Sequence, residues 1–242
     1  MRLAFVVPAL LGVAALSAGA RAEMIGVQFV GWGTALSAGD STGVVAQANW
    51  NTDYNQSDTL ANLTDGTGAA TGASLTYSGS GTFGTFIPST TTPIEKLFSG
   101  FVDTIPGSVP PTPSISTFSF SNLPSAAYDV IIYGMGDTAG RGQSFTANGS
   151  NKVYLTTMAP NALAGFSQAT ATTSGGPGAD GNFVEFDNVS AAGGITIVAT
   201  PENFRAAING IQLVAAPAVP EPASLLLLAT GVGGLLLRRR RH

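Results

Sequence analysis

Cysteine is absent from the 242-residue sequence, and its one histidine is the last residue, His242. The chain therefore cannot form disulfide bonds or a Cys-His dyad, and the residues before His242 contain no histidine for the usual Cys/His zinc sites or for a Ser-His-Asp triad. Charged residues make up only 10% of the sequence, whereas glycine occurs 31 times. The core must be held together by packing alone, without disulfide bonds.

The N-terminus has the three parts of a secretory signal peptide. Arg2 gives a positive start, residues 3–16 form an apolar run, and an A-R-A triplet follows at residues 20–22. Charged, apolar and A-x-A regions in this order are typical of export signals that are removed. We predict that residues 1–22 are the signal peptide and that the mature chain begins at Glu23. A buried first strand or helix is the alternative.

The C-terminus contains a motif, an apolar segment and a basic tail. The apolar segment, residues 223–237, would span about 22 Å as a helix. A stable membrane span needs about 20 residues, so the segment predicts a transient anchor. The tail should stay in the cytoplasm, with the preceding domain facing outward. The motif consists of Val219, Pro220, Glu221 and Pro222, and the tail contains Arg238, Arg239, Arg240 and Arg241.

This three-part order resembles the PEP-CTERM sorting signal of bacterial exported proteins. The resemblance covers residues 217–242 and leaves residues 23–216 as one domain. It implies cleavage near the motif by an exosortase, which is a membrane cysteine protease. It also implies inner-membrane anchoring before cleavage and release or attachment at the cell surface afterwards. An ordinary C-terminal anchor is the alternative.

The mature domain is strongly acidic. Residues 23–220 contain four basic and 13 acidic residues, which gives a net charge of −9. Such a domain should not bind nucleic acid, because phosphates are bound by Lys and Arg. Cations or neutral polymers are the ligands that this charge favours. The four basic residues are Lys96, Arg141, Lys152 and Arg205.

Short strand patterns separated by turns predict an all-β fold, a single β-sandwich with one short helix. The helix is predicted over residues 93–101, where apolar residues follow a helical period after Pro93. Asn148-Gly149 is a strong hairpin signal. Trp32 ends the first strand pattern and is expected in the core. The strand patterns cover residues 25–32, 44–48, 75–77, 116–120, 128–133, 143–147, 152–156, 183–186, 195–198 and 208–214.

The second half of the chain resembles galactose-binding-like jelly-roll domains, a fold used by carbohydrate-binding modules. The resemblance rests on the apolar run at 128–133, the hairpin at Asn148 and a final strand with the sequence AINGIQL at 207–213. It implies the jelly-roll fold. No sugar-binding motif can be matched residue by residue.

Trp50 and Tyr54 are the candidate sugar-binding residues. They flank amide and carboxylate side chains, among them Asn51 and Asp53. Sugars stack their C–H faces on aromatic rings, and their hydroxyls bond to polar groups. The alternative for Trp50 is a place in the core.

The same segment offers candidate calcium ligands: Asp53, Asn55, Asp58 and Asp65. Calcium takes six to eight oxygen ligands, and alternating loop residues can converge on one ion. The alternative is a polar loop with Asx-turns.

Glu185 and Asp187 form a carboxylate pair that could act in glycoside hydrolysis. The alternative is that they belong to an exposed polar face of a strand.

These observations favour a non-enzymatic, exported surface or matrix protein with a structural or interaction role. The first alternative is a lectin-like module that binds extracellular polysaccharide. The second is a carboxylate-dependent enzyme acting on polysaccharide. The sequence assigns no catalytic residue. Calcium is the one candidate cofactor, and the expected partners are the exosortase and an extracellular polysaccharide.

Overall fold

The computed structural model describes residues 23–104 and 115–217. The predicted signal peptide and the predicted sorting signal, apart from Pro217, lie outside the described residues. The described chain is mostly β-structure, as predicted.

Two large sheets pack face to face as a β-sandwich. The larger sheet has seven strands, and in spatial order these are β11 (Asp180–Gly181), β10 (Val153–Thr157), β9 (Gly142–Ala147), β13 (Ile195–Pro201), β7 (Ser116–Ser121), β4 (Ser74–Ser78) and β3 (Ser57–Leu60). The facing sheet has five strands, β12 (Phe183–Ser190), β8 (Ala127–Tyr133), β15 (Gly210–Ala215), β1 (Met24–Phe29) and β2 (Asn51–Asp53). A smaller third sheet contains β14 (Ala206–Ile208), β6 (Gly100–Thr104) and β5 (Gly81–Gly84).

Strand β8 explains why the four consecutive residues 130–133 are all apolar or aromatic. Val130 and Ile132 face the sandwich core, and Ile131 and Tyr133 face a second, smaller hydrophobic cluster on the opposite side of the sheet. A strand that is buried on both faces has no solvent face to carry polar residues. The prediction of a central strand is confirmed, since β8 lies between β12 and β15.

Segment 44–48, predicted as a strand, instead crosses the outer face of the five-stranded sheet as a turn. Side chains of the sheet hold it there. The Val44 N–H donates to the Tyr133 hydroxyl over 2.8 Å, and the Gln212 amide donates to the Val45 carbonyl over 2.6 Å and to Gln47 Oε1 over 2.8 Å. These bonds satisfy the Val44 N–H and the Val45 carbonyl, which have no partner in a strand.

The helix α1 (Pro93–Phe98) is shorter than predicted. Its start agrees with the sequence, because Pro93 occupies the first turn and Thr92 forms a capping box with Glu95. It ends at Phe98, and Phe101, which fits the helical period, lies in strand β6. The end of the predicted helix, at residues 100 and 101, therefore belongs to strand β6 of the third sheet.

The sandwich has two distinct ends. At one end, which we call the terminal pole, the Ala215 N–H donates to the Glu23 carbonyl over 2.7 Å, so the chain enters and leaves the domain at one point. At the other end, the distal pole, β1 finishes and β15 begins. Asn209 closes this pole. Its side chain donates to the Gly100 carbonyl over 2.9 Å and accepts from the Met135 N–H over 2.5 Å.

Candidate functional site

Trp50 belongs to the core, which corrects its predicted role in sugar binding. Only 6% of its surface is exposed. Its ring lies 6.0 Å from the ring of Tyr133, and its Nε1–H donates to the Gln47 carbonyl over 3.2 Å. A ring face covered in this way cannot stack on a sugar. Tyr54, in contrast, is 57% exposed, so the two predicted residues do not form one surface.

The structure places Asp53, Asn55 and Asp58 in one hydrogen-bonded loop and Asp65 in a separate turn. Asp53 uses Oδ1 to accept the N–H groups of the next two residues and Oδ2 to accept the Tyr77 hydroxyl. Asn55 bonds to Asp58 over 2.7 Å, and Asp65 is engaged within its own turn by Thr67. In the part of the chain that the structure describes, no three His, Asp or Glu residues are grouped as metal ligands. The predicted alternative, a polar loop with Asx-turns, fits these contacts.

Trp32, which was expected in the core, is 69% exposed at the distal pole. It follows Gly31, whose φ of +52° and close approach to the Phe83 carbonyl leave no room for a Cβ. This turn directs the chain out of β1 and away from the sandwich. The Trp32 ring lies 5.4 Å from the half-buried ring of Phe83, which in turn stacks 6.0 Å from the buried ring of Phe101. Trp32 is therefore exposed but supported from beneath.

An open groove of about 140 Å³ lies beside Trp32. Phe86 also lines this groove, as do Thr34 and Thr90. Aromatic faces next to hydroxyl groups are suited to a ligand with both C–H and O–H surfaces.

Phe86 adopts an unusual backbone conformation. Its φ is +57°, in the left-handed region, where a bulky residue is an outlier. The other non-glycine residues with positive φ in the described chain are all asparagines, the residue type that tolerates this region best. Phe86 is also 73% exposed. The fold thus holds a large apolar side chain in solvent at an energetic cost, a combination that indicates a binding role.

The aromatic surface continues through Arg205 to Phe204. The Arg205 guanidinium lies 4.4 Å from the Phe83 ring centre and 5.6 Å from that of Phe204. Arg141 covers Phe204 on another side at 5.2 Å, and Phe204 itself is exposed. We call Trp32, Phe83, Phe86, Arg205 and Phe204 the aromatic band. Contacts between rings and guanidinium groups make it a stiff, continuous surface.

Arg205 is held by a buried acid. Its Nη1 lies 2.9 Å from Oδ2 of Asp103, whose side chain is fully buried. Burial raises the pKa of Asp103 to about 6, although Arg205 and Arg141 oppose this rise, and Asp137 adds to it. The ion pair anchors the guanidinium group, which lies within 5.6 Å of the centres of both phenylalanine rings.

All four basic residues of the described domain are ion-paired. Lys96 lies 2.7 Å from Asp40, Arg141 2.7 Å from Asp137, and Lys152 3.4 Å from Glu202, in addition to the Arg205 pair. The other nine acidic residues have no basic partner among the residues that the structure describes. The aromatic band is therefore locally balanced in charge within an acidic domain.

The predicted carboxylate pair lies elsewhere, on β12. Burial raises the pKa of Glu185, and the nearby charges of Asp187 and Asp129 act in the same direction. A weak bond of 3.4 Å from Gln168 is the side-chain contact of Glu185.

Sequence reasoning missed Trp32, Phe86, Phe204 and Arg205 as site residues. One signal was present: Trp32 stands between two glycines, which is a poor context for packing a large ring. The positive φ of Phe86 has no sequence signature.

Comparison with known proteins identifies the C-terminus. A family model described as the PEP-CTERM protein-sorting motif matches residues 218–241. No curated protein and no solved structure matches the chain, so the galactose-binding-like resemblance is not confirmed. No helix within residues 23–104 or 115–217 is long and apolar enough to cross a membrane, and the predicted anchor lies outside these ranges. The chain carries a PEP-CTERM sorting signal, which supports export, transient anchoring through the C-terminal region and processing by an exosortase.

Proposed function

We propose that this exported protein is a non-enzymatic surface or matrix component whose sandwich binds extracellular polysaccharide through the aromatic band. The observation that carries the proposal is the exposure of Trp32 and Phe86 in the lining of one open groove. Each ring can stack on the C–H face of a sugar, and the Thr34 and Thr90 hydroxyls can bond to sugar hydroxyls.

The backbone strain at Phe86 supports the same proposal. A fold that needed only stability would place glycine or asparagine at φ +57°, as it does at its other left-handed positions. Retaining phenylalanine there is explained if the ring contacts a ligand. Trp32 packs against Phe83, and Phe83 packs against Phe101. These contacts restrict the motion of the Trp32 ring before a ligand binds, so less entropy is lost on binding.

The test is binding of the mature protein to a panel of bacterial and plant polysaccharides, comparing wild type with Trp32→Ala. A stacked ring contributes about 0.5–1.5 kcal/mol beyond its buried area, so we expect affinity to fall about tenfold. Tyr154→Ala removes an aromatic residue from β10, away from the band, and should bind like wild type. Equal affinities of Trp32→Ala and wild type would refute the proposal.

The same panel separates binding from catalysis. If Glu185 acted as an acid in glycoside hydrolysis, the wild-type protein would shorten the bound polymer and Glu185→Gln would not. We expect the length of the polymer to be unchanged by either protein, and the affinity of Glu185→Gln to equal that of wild type.

A further inference from the structure

We infer that the aromatic band binds internal segments of a neutral glycan chain, several sugar units at a time. This inference rests on the proposed function and specifies the ligand of the same site. Two features of the band carry it, namely the series of contacts between its exposed rings and its charge.

Four members of the aromatic band form a series of contacts. Trp32 contacts Phe83, Phe83 contacts Arg205, and Arg205 contacts Phe204, with separations between 4.4 and 5.6 Å. Trp32 and Phe204, at the two ends of this series of contacts, are both exposed. Two exposed rings that are connected through Phe83 and Arg205 can each stack on a different sugar unit of one glycan chain.

The groove beside Trp32 is open to solvent and not closed into a pocket. An enclosed pocket would select a chain end, because the rest of the polymer has to leave through one opening. An open groove lets a chain pass in both directions. The shape therefore favours internal segments.

Charge selects a neutral polymer. Arg205 and Arg141 are the basic residues beside the band, and each already has a carboxylate partner within 2.9 Å. A polyanion would have to displace Asp103 or Asp137 from these arginines and would also meet the field of a domain with net charge −9. A neutral glycan meets neither penalty.

The experiment is titration calorimetry of the mature protein with neutral oligosaccharides of increasing length. The probes are cello-, laminari- and N-acetylated chito-oligosaccharides, each from disaccharide to hexasaccharide, with oligoalginates as the acidic comparison. For the series that binds, we expect at least a tenfold gain in affinity from disaccharide to hexasaccharide, because the second ring acts at a high effective concentration. Oligoalginates of equal length should bind at least tenfold more weakly.

Two variants assign the gain to the two rings. Phe204→Ala should lower the affinity for the hexasaccharide to that for the disaccharide and leave disaccharide binding unchanged. Trp32→Ala should weaken both. Both side chains are exposed, and unchanged melting temperatures will confirm that the variants are folded.

The possible failures are distinguishable. Binding of a glycan with no dependence on length, or tighter binding of oligoalginates, would overturn the inference and leave the proposed function intact. No binding of any neutral or acidic probe would overturn both.

Discussion

Replacing Phe86 by glycine should make the protein more stable and weaken its ligand binding. A bulky residue at φ +57° costs about 1–3 kcal/mol, and this strain is relieved by glycine. Glycine itself costs about 0.5–1 kcal/mol in chain entropy on folding. The phenylalanine ring is 73% exposed, so little buried surface is lost with it. The net expectation is a gain of about 1 kcal/mol in the free energy of unfolding, or a rise of about 2–4 °C in Tm.

The matched control is Phe86→Ala, which removes the ring but retains the Cβ that causes the strain. Urea unfolding and thermal melting of wild type and both variants give the comparison. We expect glycine to be more stable than alanine by about 1 kcal/mol, while both variants lose glycan affinity equally. If glycine is no more stable than alanine, Phe86 is not strained and the argument from strain to function fails.

The remaining predictions concern the core and the buried ion pair. Trp50→Ala should lower the free energy of unfolding by about 3–5 kcal/mol, whereas Trp32→Ala should change it by less than about 0.5 kcal/mol, as urea unfolding will show. Because the folded pKa of Asp103 is raised to about 6 from 3.8, its contribution to stability is greatest below pH 3.8 and is lost as the pH rises through 6. As the pH rises from about 4 to about 7, the free energy of unfolding of wild type should therefore fall relative to that of Asp103→Asn. A difference between the two proteins that stays constant over this range would contradict the raised pKa of Asp103.

The fold class could be predicted because burial leaves a periodic record in the sequence. Strand β7 alternates with Phe118 and Phe120 inward, and β8 is apolar on both faces because both faces are covered. The segment at 44–48 was assigned wrongly because its partners are side chains of distant residues, Tyr133 and Gln212, and not a neighbouring strand. A local pattern contains no information about such partners.

The site could not be predicted in the same way, and the two tryptophans show why. Trp50 stands among polar residues and is buried, while Trp32 ends an apolar strand and is exposed. Their exposure depends on how the loops cross the sheet, which is set by contacts such as the packing of Trp50 against Tyr133. Exposure of a single large residue is a property of the tertiary structure, so composition near the residue is a poor guide to it.

The point where the chain leaves the domain and the proposed binding surface lie at opposite poles of the sandwich. The chain leaves the domain at the terminal pole, where Ala215 bonds to Glu23, and the sorting motif begins within a few residues of that point. The aromatic band lies at the distal pole, one length of strand β1 away, which is about 20 Å for six residues. A domain tethered through its C-terminus therefore has the band on the end opposite the tether. The matched sorting motif, residues 218–241, contains no residue of the band, so we expect the proposed binding to be the same before and after cleavage near the motif.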